Sequence, residues 1–225
     1  MGTDTLDKRF ERVRAAIPAR VKLIAVSKTR SVDEIRALYE LGQRAFGENY
    51  PQELRTKQPL LPPDVEWHFI GHLQRTNVKH VVGPTTLIHS VDSEKLLDEI
   101  DKRAGASGLV RDVLLQVHIA EEETKHGFGA EEVQTLLGQP GLNDRWPNVR
   151  IRGLMGMATN TTDNSRIARE FALLGGLFRQ VASGGPFPAG QFSELSMGMT
   201  SDMELAIKAG STMVRVGTAI FGERD

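Results

Sequence analysis

Residues 21–34 of the chain read VKLIAVSKTRSVDE. The apolar, β-branched run over residues 21–26 predicts a buried strand. Residues 31–34, Ser-Val-Asp-Glu, form a capping box, in which Ser31 and Glu34 satisfy free backbone N–H groups at the start of a helix. A strand followed within a few residues by a capped helix is one β/α unit, and Lys28 lies in the turn at the carboxyl end of its strand.

The same alternation of short apolar strands and amphipathic helices continues to the C-terminus. Strands are predicted at residues 21–26, 44–47, 67–70, 87–90, 113–119, 151–157, 192–196 and 213–216. Eight strand-then-helix units predict a closed (β/α)8 TIM barrel that forms a single domain over residues 1–225, with a doubly wound open sheet as the alternative. In a barrel the functional groups lie at the carboxyl ends of the strands.

Composition excludes several functional classes. The formal charge is −1, from 28 basic and 29 acidic side chains, so no long-range field favours nucleic acid or an anionic membrane. The chain has no cysteine, which excludes disulfides, thiolate metal sites and a cysteine nucleophile. No apolar run is long enough to span a bilayer and the N-terminus lacks signal-peptide features, so we expect a cytoplasmic protein whose partners are small molecules or proteins.

Lys28 is the first candidate for chemistry. A lysine at the buried end of a strand loses proton affinity through desolvation, and a neutral amine attacks an aldehyde to form an imine. Taken alone, a lysine in a turn is more often a solvated surface residue. The functional interpretation of Lys28 therefore depends on the residues that accompany it at the same end of the barrel.

A second cluster occupies residues 193–202, Ser-Glu-Leu-Ser-Met-Gly-Met-Thr-Ser-Asp, where a predicted strand ends and a second capping box begins at Ser201. Backbone N–H groups at a helix start, with the hydroxyls of Ser196 and Thr200, suit a phosphate without any formal positive charge from the protein. The alternative is an ordinary capped helix, which explains Ser201 fully and Gly198 in part.

A third cluster follows the last predicted strand and contains Arg215, Gly217 and Thr218. Barrels often bind phosphate with the loops after their seventh and eighth strands, so this cluster is expected beside the second one. Gly217 permits close approach of the backbone and Thr218 adds a hydroxyl donor. A structural role for the glycines that close the barrel, Gly217 and Gly222, is an equally good explanation.

Other polar residues follow the second, third and fifth strands. Asn49 and His72 are expected at the same face as Lys28. His68 and His72 do not predict a metal site, because the chain has no HExxH pattern and no carboxylate at ligand spacing. The charged loop 121–129 is either a solvated connection or a flexible lid, and Lys125 within it is a candidate second acceptor for an aldehyde.

Taken in order, these segments resemble the pyridoxal phosphate homeostasis protein family. The matching segments are residues 25–29 (AVSKT), 47–49 (GEN), 68–74 (HFIGHLQ), 125–128 (KHGF), 153–157 (GLMGM), 195–199 (LSMGM), 215–217 (RVG) and 220–222 (IFG). The resemblance extends over residues 21–222. It implies the barrel of the alanine racemase N-terminal domain, with pyridoxal 5'-phosphate (PLP) held as a Schiff base on Lys28.

The resemblance also implies roles for individual residues. It places Asn49 near the cofactor ring, Ser196 with Gly217 and Thr218 on the phosphate, and Arg215 opposite the pyridine nitrogen. The predicted cofactor-binding set is Lys28, Asn49, Ser196, Met197, Gly198, Thr200, Arg215, Gly217 and Thr218. No catalytic residue and no metal ligand are predicted.

The arginine at position 215 favours a PLP carrier over a PLP-dependent enzyme. An arginine only donates hydrogen bonds, so it keeps the ring nitrogen unprotonated and weakens the ring as an electron sink. The alanine racemase design also needs a second base, and neither Tyr39 nor Tyr50 is placed to serve as one. We therefore expect a PLP carrier that buffers the cofactor or supplies it to PLP-dependent apoenzymes. The alternative is an amino-acid racemase whose second base is His72, a loop residue or part of another subunit.

Overall fold

Eight parallel strands pair in chain order and close into a barrel in the computed structural model, which describes residues 4–122 and 126–223. The strands are β1 (Lys22–Val26), β2 (Ala45–Glu48), β3 (Glu66–Phe69), β4 (Leu87–Val91), β5 (Arg111–Gln116), β6 (Val149–Met155), β7 (Glu194–Ser196) and β8 (Met213–Val216). The barrel closes where β1 pairs with β8, with Lys22 opposite Met213 and Ala25 opposite Val216. The predicted TIM barrel is confirmed, and the open-sheet alternative is wrong.

Every predicted strand is present, although several are displaced by one to three residues. The largest differences are in β5 and β6, which begin two residues earlier than predicted and end earlier as well. The residues that precede the predicted starts are mainly charged: Arg111 and Asp112 in β5 and Arg150 in β6. Arg150 Nε lies 2.6 Å from Asp112 Oδ1. An ion pair at the start of two strands leaves no apolar signal in the sequence, so the prediction began the strands too late.

Helices surround the barrel. They are α1 (Leu6–Ala15), α2 (Val32–Glu40), α3 (Pro51–Lys57), α4 (Val78–Val81), α5 (Glu94–Ala106), α6 (Ala130–Leu137), α7 (Leu142–Arg145), α8 (Asn164–Gly184), α9 (Met203–Lys208) and α10 (Thr218–Phe221), with 3-10 turns at Gln58–Leu60 and Arg75–Asn77. The capping box of α2 is confirmed: Glu34 N donates to Ser31 Oγ at 3.2 Å, and Ser31 N donates to Glu34 Oε2 at 2.8 Å. Among the described residues no helix is both long enough and apolar enough to cross a bilayer.

The second predicted capping box, at Ser201, is wrong. Helix α9 begins at Met203 and its N-cap is Asp202, whose side chain does not cap the helix. Instead Asp202 Oδ1 accepts a hydrogen bond from Met199 N at 2.5 Å. The carboxylate is a stronger acceptor than the serine hydroxyl and folds residues 199–202 into a turn, which delays the start of the helix.

Side chains alternate between the two faces of the barrel wall, as the period of two requires. Outward residues such as Ile88 and Val214 belong to the main apolar core beneath the helices. The inward residues Leu87, Leu114, Met155 and Met213 form a separate apolar cluster. Two residues further along β4 and β8 the inward positions carry His89 and Arg215, both buried. The interior therefore changes from apolar to polar towards the carboxyl ends of the strands.

Two adjacent glycines in α8 provide a test of the packing around the barrel. A Cβ atom on Gly175 would lie 2.5 Å from the Ala209 carbonyl oxygen, whereas one on Gly176 meets nothing within 4 Å. We expect Gly175→Ala to lower the free energy of unfolding by about 1–3 kcal/mol through overpacking. Gly176→Ala should raise it by up to about 1 kcal/mol, because alanine has the higher helix propensity.

Denaturant unfolding of the two variants measures both effects against the wild-type protein. The two glycines are neighbours in one helix, so each variant serves as the control for the other. A stabilising Gly175→Ala substitution would contradict the close contact between α8 and Ala209.

Candidate functional site

A cavity of about 250 Å³ lies where the segments after β1, β7 and β8 meet. It is lined by Val26, Lys28, Arg30, Met199, Thr200, Ser201, Arg215, Gly217 and Thr218. Five of the predicted cofactor-binding residues are in this set: Lys28, Thr200, Arg215, Gly217 and Thr218. They come together because closure of the barrel pairs β1 with β8, so the first strand-end turn lies beside the last.

The cavity is positively charged. Lys28, Arg30 and Arg215 line it, and no acidic residue does so within the described parts of the chain. Sequence reasoning missed Arg30, whose Nη2 donates to Gly222 O at 2.6 Å and whose guanidinium lies 5.4 Å from the centre of the Phe221 ring. Its signal was a second basic residue in the strand-end turn of Lys28. The expectation of a phosphate site without formal positive charge stays a prediction, and Arg30 adds a charge at the cavity that it did not include.

The turn that carries Lys28 is fixed on both sides. Before it, Ser27 Oγ donates to Glu48 Oε1 at 2.7 Å. After it, Thr29 N donates to Glu53 Oε2 at 2.7 Å. Thr29 has a φ of 64°, a left-handed conformation that is costly for a β-branched residue and persists only when its surroundings enforce it. Glu53 therefore stabilises a strained turn at the residue next to Lys28.

Lys57 joins the two carboxylates beneath this turn. Its Nζ donates to Glu48 Oε1 at 2.9 Å, to Glu53 Oε2 at 2.6 Å and to Ser27 O at 2.9 Å. Lys57 and Glu48 are both buried. Burial raises the pKa of Glu48, although Lys57 and Ser27 act in the opposite direction. The backbone around Lys28 thus rests on a buried ion network that joins β1, β2 and α3.

Arg215 is buried inside the barrel and also lines the cavity. Its Nη1 donates to Ser196 O at 2.9 Å and to Ser196 Oγ at 2.6 Å, and its Nη2 donates to Gly156 O at 3.1 Å. Burial lowers the pKa of Arg215 to about 10, against the opposing effect of Asp202, so the side chain stays protonated at neutral pH. The guanidinium has five N–H donors, and three of them form these bonds within the described chain.

Three predicted residues, Ser196, Met197 and Gly198, do not line the cavity. Met197 is buried in the core, and Gly198 has a φ of +96° at a point where a Cβ atom would lie 2.5 Å from Ala206 Cβ. The Gly198 carbonyl accepts from Arg215 N at 2.9 Å. A contact of these residues with phosphate stays a prediction, whereas the contacts that are present hold Arg215 and its loop in place.

Asn49 follows β2 and contains a buried acceptor that lacks a partner. Its Oδ1 makes no hydrogen bond within residues 4–122 and 126–223. The backbone packs closely there, because a Cβ atom on Gly71 would lie 2.2 Å from Asn49 O. Buried polar atoms are rarely left unpaired, so this acceptor favours a ligand beside Asn49. Its predicted place near the cofactor ring stays a prediction.

Three more polar side chains meet at the carboxyl ends of the strands. His72 Nδ1 lies 3.4 Å from Asp92 Oδ2, and the His72 ring stacks on His126 with centroids 3.9 Å apart and planes 16° apart. A metal binds histidine in the plane of the ring, so two nearly parallel rings do not converge on one ion as they lie here. This cluster could not be predicted from the sequence, because Asp92 is 20 residues from His72. Lys125 lies outside the described residues.

Comparison with known proteins agrees with this fold. The family model for the alanine racemase N-terminal domain matches residues 2–225. The pyridoxal phosphate homeostasis protein of Pasteurella multocida is 40% identical over 210 residues, which cover 91% of this chain and 87% of that protein. Its Homo sapiens counterpart is 38% identical over 234 residues, which cover 96% and 84%. This chain belongs to the pyridoxal phosphate homeostasis protein family. The resemblance found in the sequence motifs is therefore confirmed.

A solved structure of the family is also similar over the whole barrel. PipY of Synechococcus elongatus PCC7942, in a structure without PLP, has a TM-score of 0.89 at 36% identity. In a structure with PLP bound, the TM-score is 0.85 at 34% identity. Both comparisons cover 97% of this chain and 100% of that chain.

Replacing Lys57 with methionine tests the ion network beneath Lys28. The variant leaves the Glu48 carboxylate buried without its cation, so we expect the free energy of unfolding to fall by about 3 kcal/mol at neutral pH. Burial already raises the pKa of Glu48, so the folded state binds a proton more readily than the unfolded state. The variant should therefore regain stability as the pH falls, when Glu48 becomes neutral.

Denaturant unfolding between neutral and mildly acidic pH measures this change. The control is Lys102→Met, at an exposed position of α5, which should change little at any pH. A Lys57→Met variant as stable as the wild type at neutral pH, or one that loses further stability on acidification, contradicts the proposed network.

Proposed function

We propose that this protein binds PLP covalently on Lys28 and buffers the cofactor or supplies it to PLP-dependent apoenzymes, without catalytic turnover. The observation that carries the proposal is the single cavity shared by Lys28, Arg215, Gly217 and Thr218. The structure of PipY with PLP bound supports it, because PipY is similar to this chain throughout the barrel. A cytoplasmic location is part of the proposal and rests on the composition of the chain.

The cavity fits the phosphate of the cofactor. Thr200, Ser201 and Thr218 offer hydroxyl donors, and Arg30 adds a positive charge. At Gly217 a Cβ atom would lie 3.3 Å from the Cβ of the β1 residue Val26 and 3.4 Å from its carbonyl oxygen. A side chain at that position would narrow the gap that an anion must enter, so glycine keeps the backbone N–H groups accessible.

The cavity also fits the two reactive ends of the ring. When bound, PLP supplies an aldehyde that condenses reversibly with amines. Lys28 offers the amine, and its fixed turn presents that amine to the cavity rim. Arg215 offers protonated N–H donors, so a ring nitrogen that faces it accepts a hydrogen bond and stays unprotonated. That arrangement favours holding the cofactor over the carbanion chemistry of most PLP enzymes.

The names of the relatives point the same way. The curated proteins from P. multocida and H. sapiens, which are similar to this chain, are named as homeostasis proteins and not as enzymes. The supply of PLP to apoenzymes is the part of the proposal that the names of the relatives do not mention. It is supported by the exposure of Thr200, Ser201 and Thr218 at the cavity, which leaves the phosphate end open to solvent.

The test uses the purified protein mixed with PLP. We expect a visible absorbance band and, after borohydride reduction, a single modified peptide that carries the cofactor on Lys28. Lys28→Ala and Lys28→Arg should both lose the trapped adduct. The arginine variant keeps the positive charge, so it separates covalent capture from electrostatic attraction. A wild-type protein that yields no adduct, or one that carries it on a different lysine, contradicts the proposal.

The same samples also test the alternative that the protein is an amino-acid racemase. His72, a loop residue or another subunit could supply the second base of a racemase; His72 lies 3.4 Å from the Asp92 carboxylate at the strand ends but does not line the cavity. Amino acids incubated with the PLP-loaded protein in deuterium oxide should gain no deuterium at the α-carbon. Exchange that disappears in Lys28→Ala and in His72→Ala would overturn the carrier proposal in favour of the racemase.

A further inference from the structure

We infer that a chain of buried side chains crosses the barrel interior with one fixed direction of proton donation, and that His89 and His68 within it are positioning residues for Arg215. The inference rests on the proposed function, since Arg215 is the residue that meets the ring nitrogen of PLP. Neither histidine lines the cavity, so both act through Ser196.

The inner half of this series of side chains joins four strands, β8, β7, β4 and β3, at hydrogen-bonding distance. Arg215 Nη1 donates to Ser196 Oγ at 2.6 Å. Ser196 Oγ lies 2.9 Å from His89 Nδ1, and His89 Nε2 lies 2.9 Å from His68 Nδ1. All four residues are buried, and Ser196 and His89 have no exposed surface. Within the described residues, the Ser196 hydroxyl and the His89 ring therefore form hydrogen bonds only with other members of this group.

The outer half reaches solvent at the opposite end of the barrel. His68 Nε2 makes no hydrogen bond within the described residues, and Glu66 Oε2 lies 3.8 Å from it, close enough for electrostatic attraction only. Glu66 Oε2 accepts from Lys22 Nζ at 2.7 Å. Glu66 and Lys22 lie at the amino-terminal ends of β3 and β1 and line a second cavity there. We use the term relay for Arg215, Ser196, His89, His68 and Glu66, which connect the cofactor cavity to the far end of the barrel.

The direction of donation follows first from Ser196. Its oxygen accepts a proton from Arg215, and a hydroxyl has one proton of its own to donate. Within the described residues its other partner is His89 Nδ1. If His89 Nδ1 carried a proton, the Ser196 hydroxyl proton would be buried without an acceptor, which is costly. Ser196 therefore donates to His89 Nδ1, and the proton of His89 is on Nε2, directed at His68 Nδ1.

The other end of the relay selects the same direction. The neighbouring His68 and Lys22 lower the pKa of Glu66 to about 2, so Glu66 is an anion at neutral pH. An unprotonated His68 Nε2 would direct a lone pair at this anion. A protonated Nε2 places an N–H there and leaves Nδ1 as the acceptor for His89. One arrangement thus suits both ends: every donor points from Arg215 towards Glu66, and the last N–H faces the Glu66 carboxylate across 3.8 Å.

Both histidines are neutral in this arrangement. Burial lowers the pKa of His89, and His68 and Arg215 add to the effect. Burial also lowers the pKa of His68, and Lys22 adds to it, whereas Glu66 and Glu194 oppose it. A neutral imidazole has one N–H, so each histidine is the tautomer protonated on Nε2.

The consequence lies at Arg215. Ser196 offers two acceptors to Arg215 Nη1, its carbonyl and its hydroxyl oxygen. The carbonyl is fixed by the sheet, whereas a hydroxyl rotates unless a second partner holds it. His89 is that partner, and His68 holds His89. The relay thereby keeps the guanidinium in one orientation, with the N–H groups that it does not use directed at the cofactor.

The first experiment needs no cofactor. Long-range proton–nitrogen NMR on the 15N-histidine-labelled protein identifies which ring nitrogen of each histidine carries the proton. We expect His89 and His68 as neutral tautomers protonated on Nε2, unchanged across the neutral pH range. His80, which is not buried in the barrel, serves as the reference signal that titrates. A proton on Nδ1 of either buried histidine, or a double protonation at neutral pH, overturns the inference.

The second experiment measures the effect on bound PLP. His89→Phe should raise the dissociation constant for PLP by about tenfold, the equivalent of one hydrogen bond to a charged group. With PLP labelled with 15N in its pyridine ring, the same variant should shift the NMR signal of that ring nitrogen. His68→Phe should change both in the same direction by less. His89→Asn keeps an acceptor for Ser196 and should restore part of each effect. His80→Phe is the control and should change neither.

These outcomes separate the inference from the proposed function. A wild-type protein that does not bind PLP contradicts the proposed function, while the tautomers remain measurable in the free protein. A folded His89→Phe variant with the wild-type dissociation constant and ring-nitrogen signal overturns the relay. If His89→Phe does not fold, the inference is decided by His89→Asn and by the histidine tautomers. Loss of the PLP adduct in Lys28→Ala contradicts neither, because it reports on covalent capture and not on the orientation of Arg215.

Discussion

A guanidinium buried inside a barrel is the constraint on which the site depends. Arg215 is 4% exposed and stays charged, so its N–H groups require acceptors that the fold must supply. Buried charges are tolerated only when they are paired or hydrogen-bonded. Here the acceptors are the carbonyl oxygens of Gly156 and Ser196 and the Ser196 hydroxyl, from β7 and the segment after β6. This requirement explains why the barrel interior is polar towards the carboxyl ends of the strands.

A second buried network fixes the backbone around Lys28. Lys57, Glu48 and Glu53 fix the backbone on either side of Lys28, including the left-handed Thr29. The amine end of the site and the guanidinium end are thus fixed independently, one from α3 and one from the barrel interior. Between them lie the hydroxyl and glycine residues that suit a phosphate. A site fixed at both ends, with its phosphate side exposed, fits a protein that holds PLP and releases it.

The barrel was predictable because its signals are local. The period of two in the strands and the capping box at Ser31 lie within a few residues of chain, and β8 has the predicted bounds of 213–216. The strand-end rule then placed Lys28, Arg215, Gly217 and Thr218 in one cavity. The start of β5 was missed because Arg111 and Asp112 are charged, and Asp112 pairs with Arg150 of the neighbouring strand, so no apolar side chain marks this part of the strand. Once the order of the strands was predicted, it also located most of the residues that line the cavity.

The polar networks were not predictable, because each joins residues that are distant in the chain. His89 contacts His68, 21 residues earlier, and Ser196, 107 residues later. Ser196 is expected on the phosphate because it belongs to a segment rich in hydroxyls, and that contact stays a prediction. Its bond to Arg215 could not be predicted, because it depends on side-chain direction within the strand, which a shift of one residue reverses.

The most direct test of this account is a crystal structure of the protein grown with PLP. The account predicts continuous electron density from Lys28 Nζ to the cofactor, the ring nitrogen within hydrogen-bonding distance of the Arg215 guanidinium, and the phosphate against Gly217 and Thr218. A cofactor bound with its ring nitrogen turned away from Arg215, or one bound away from Lys28, would contradict it.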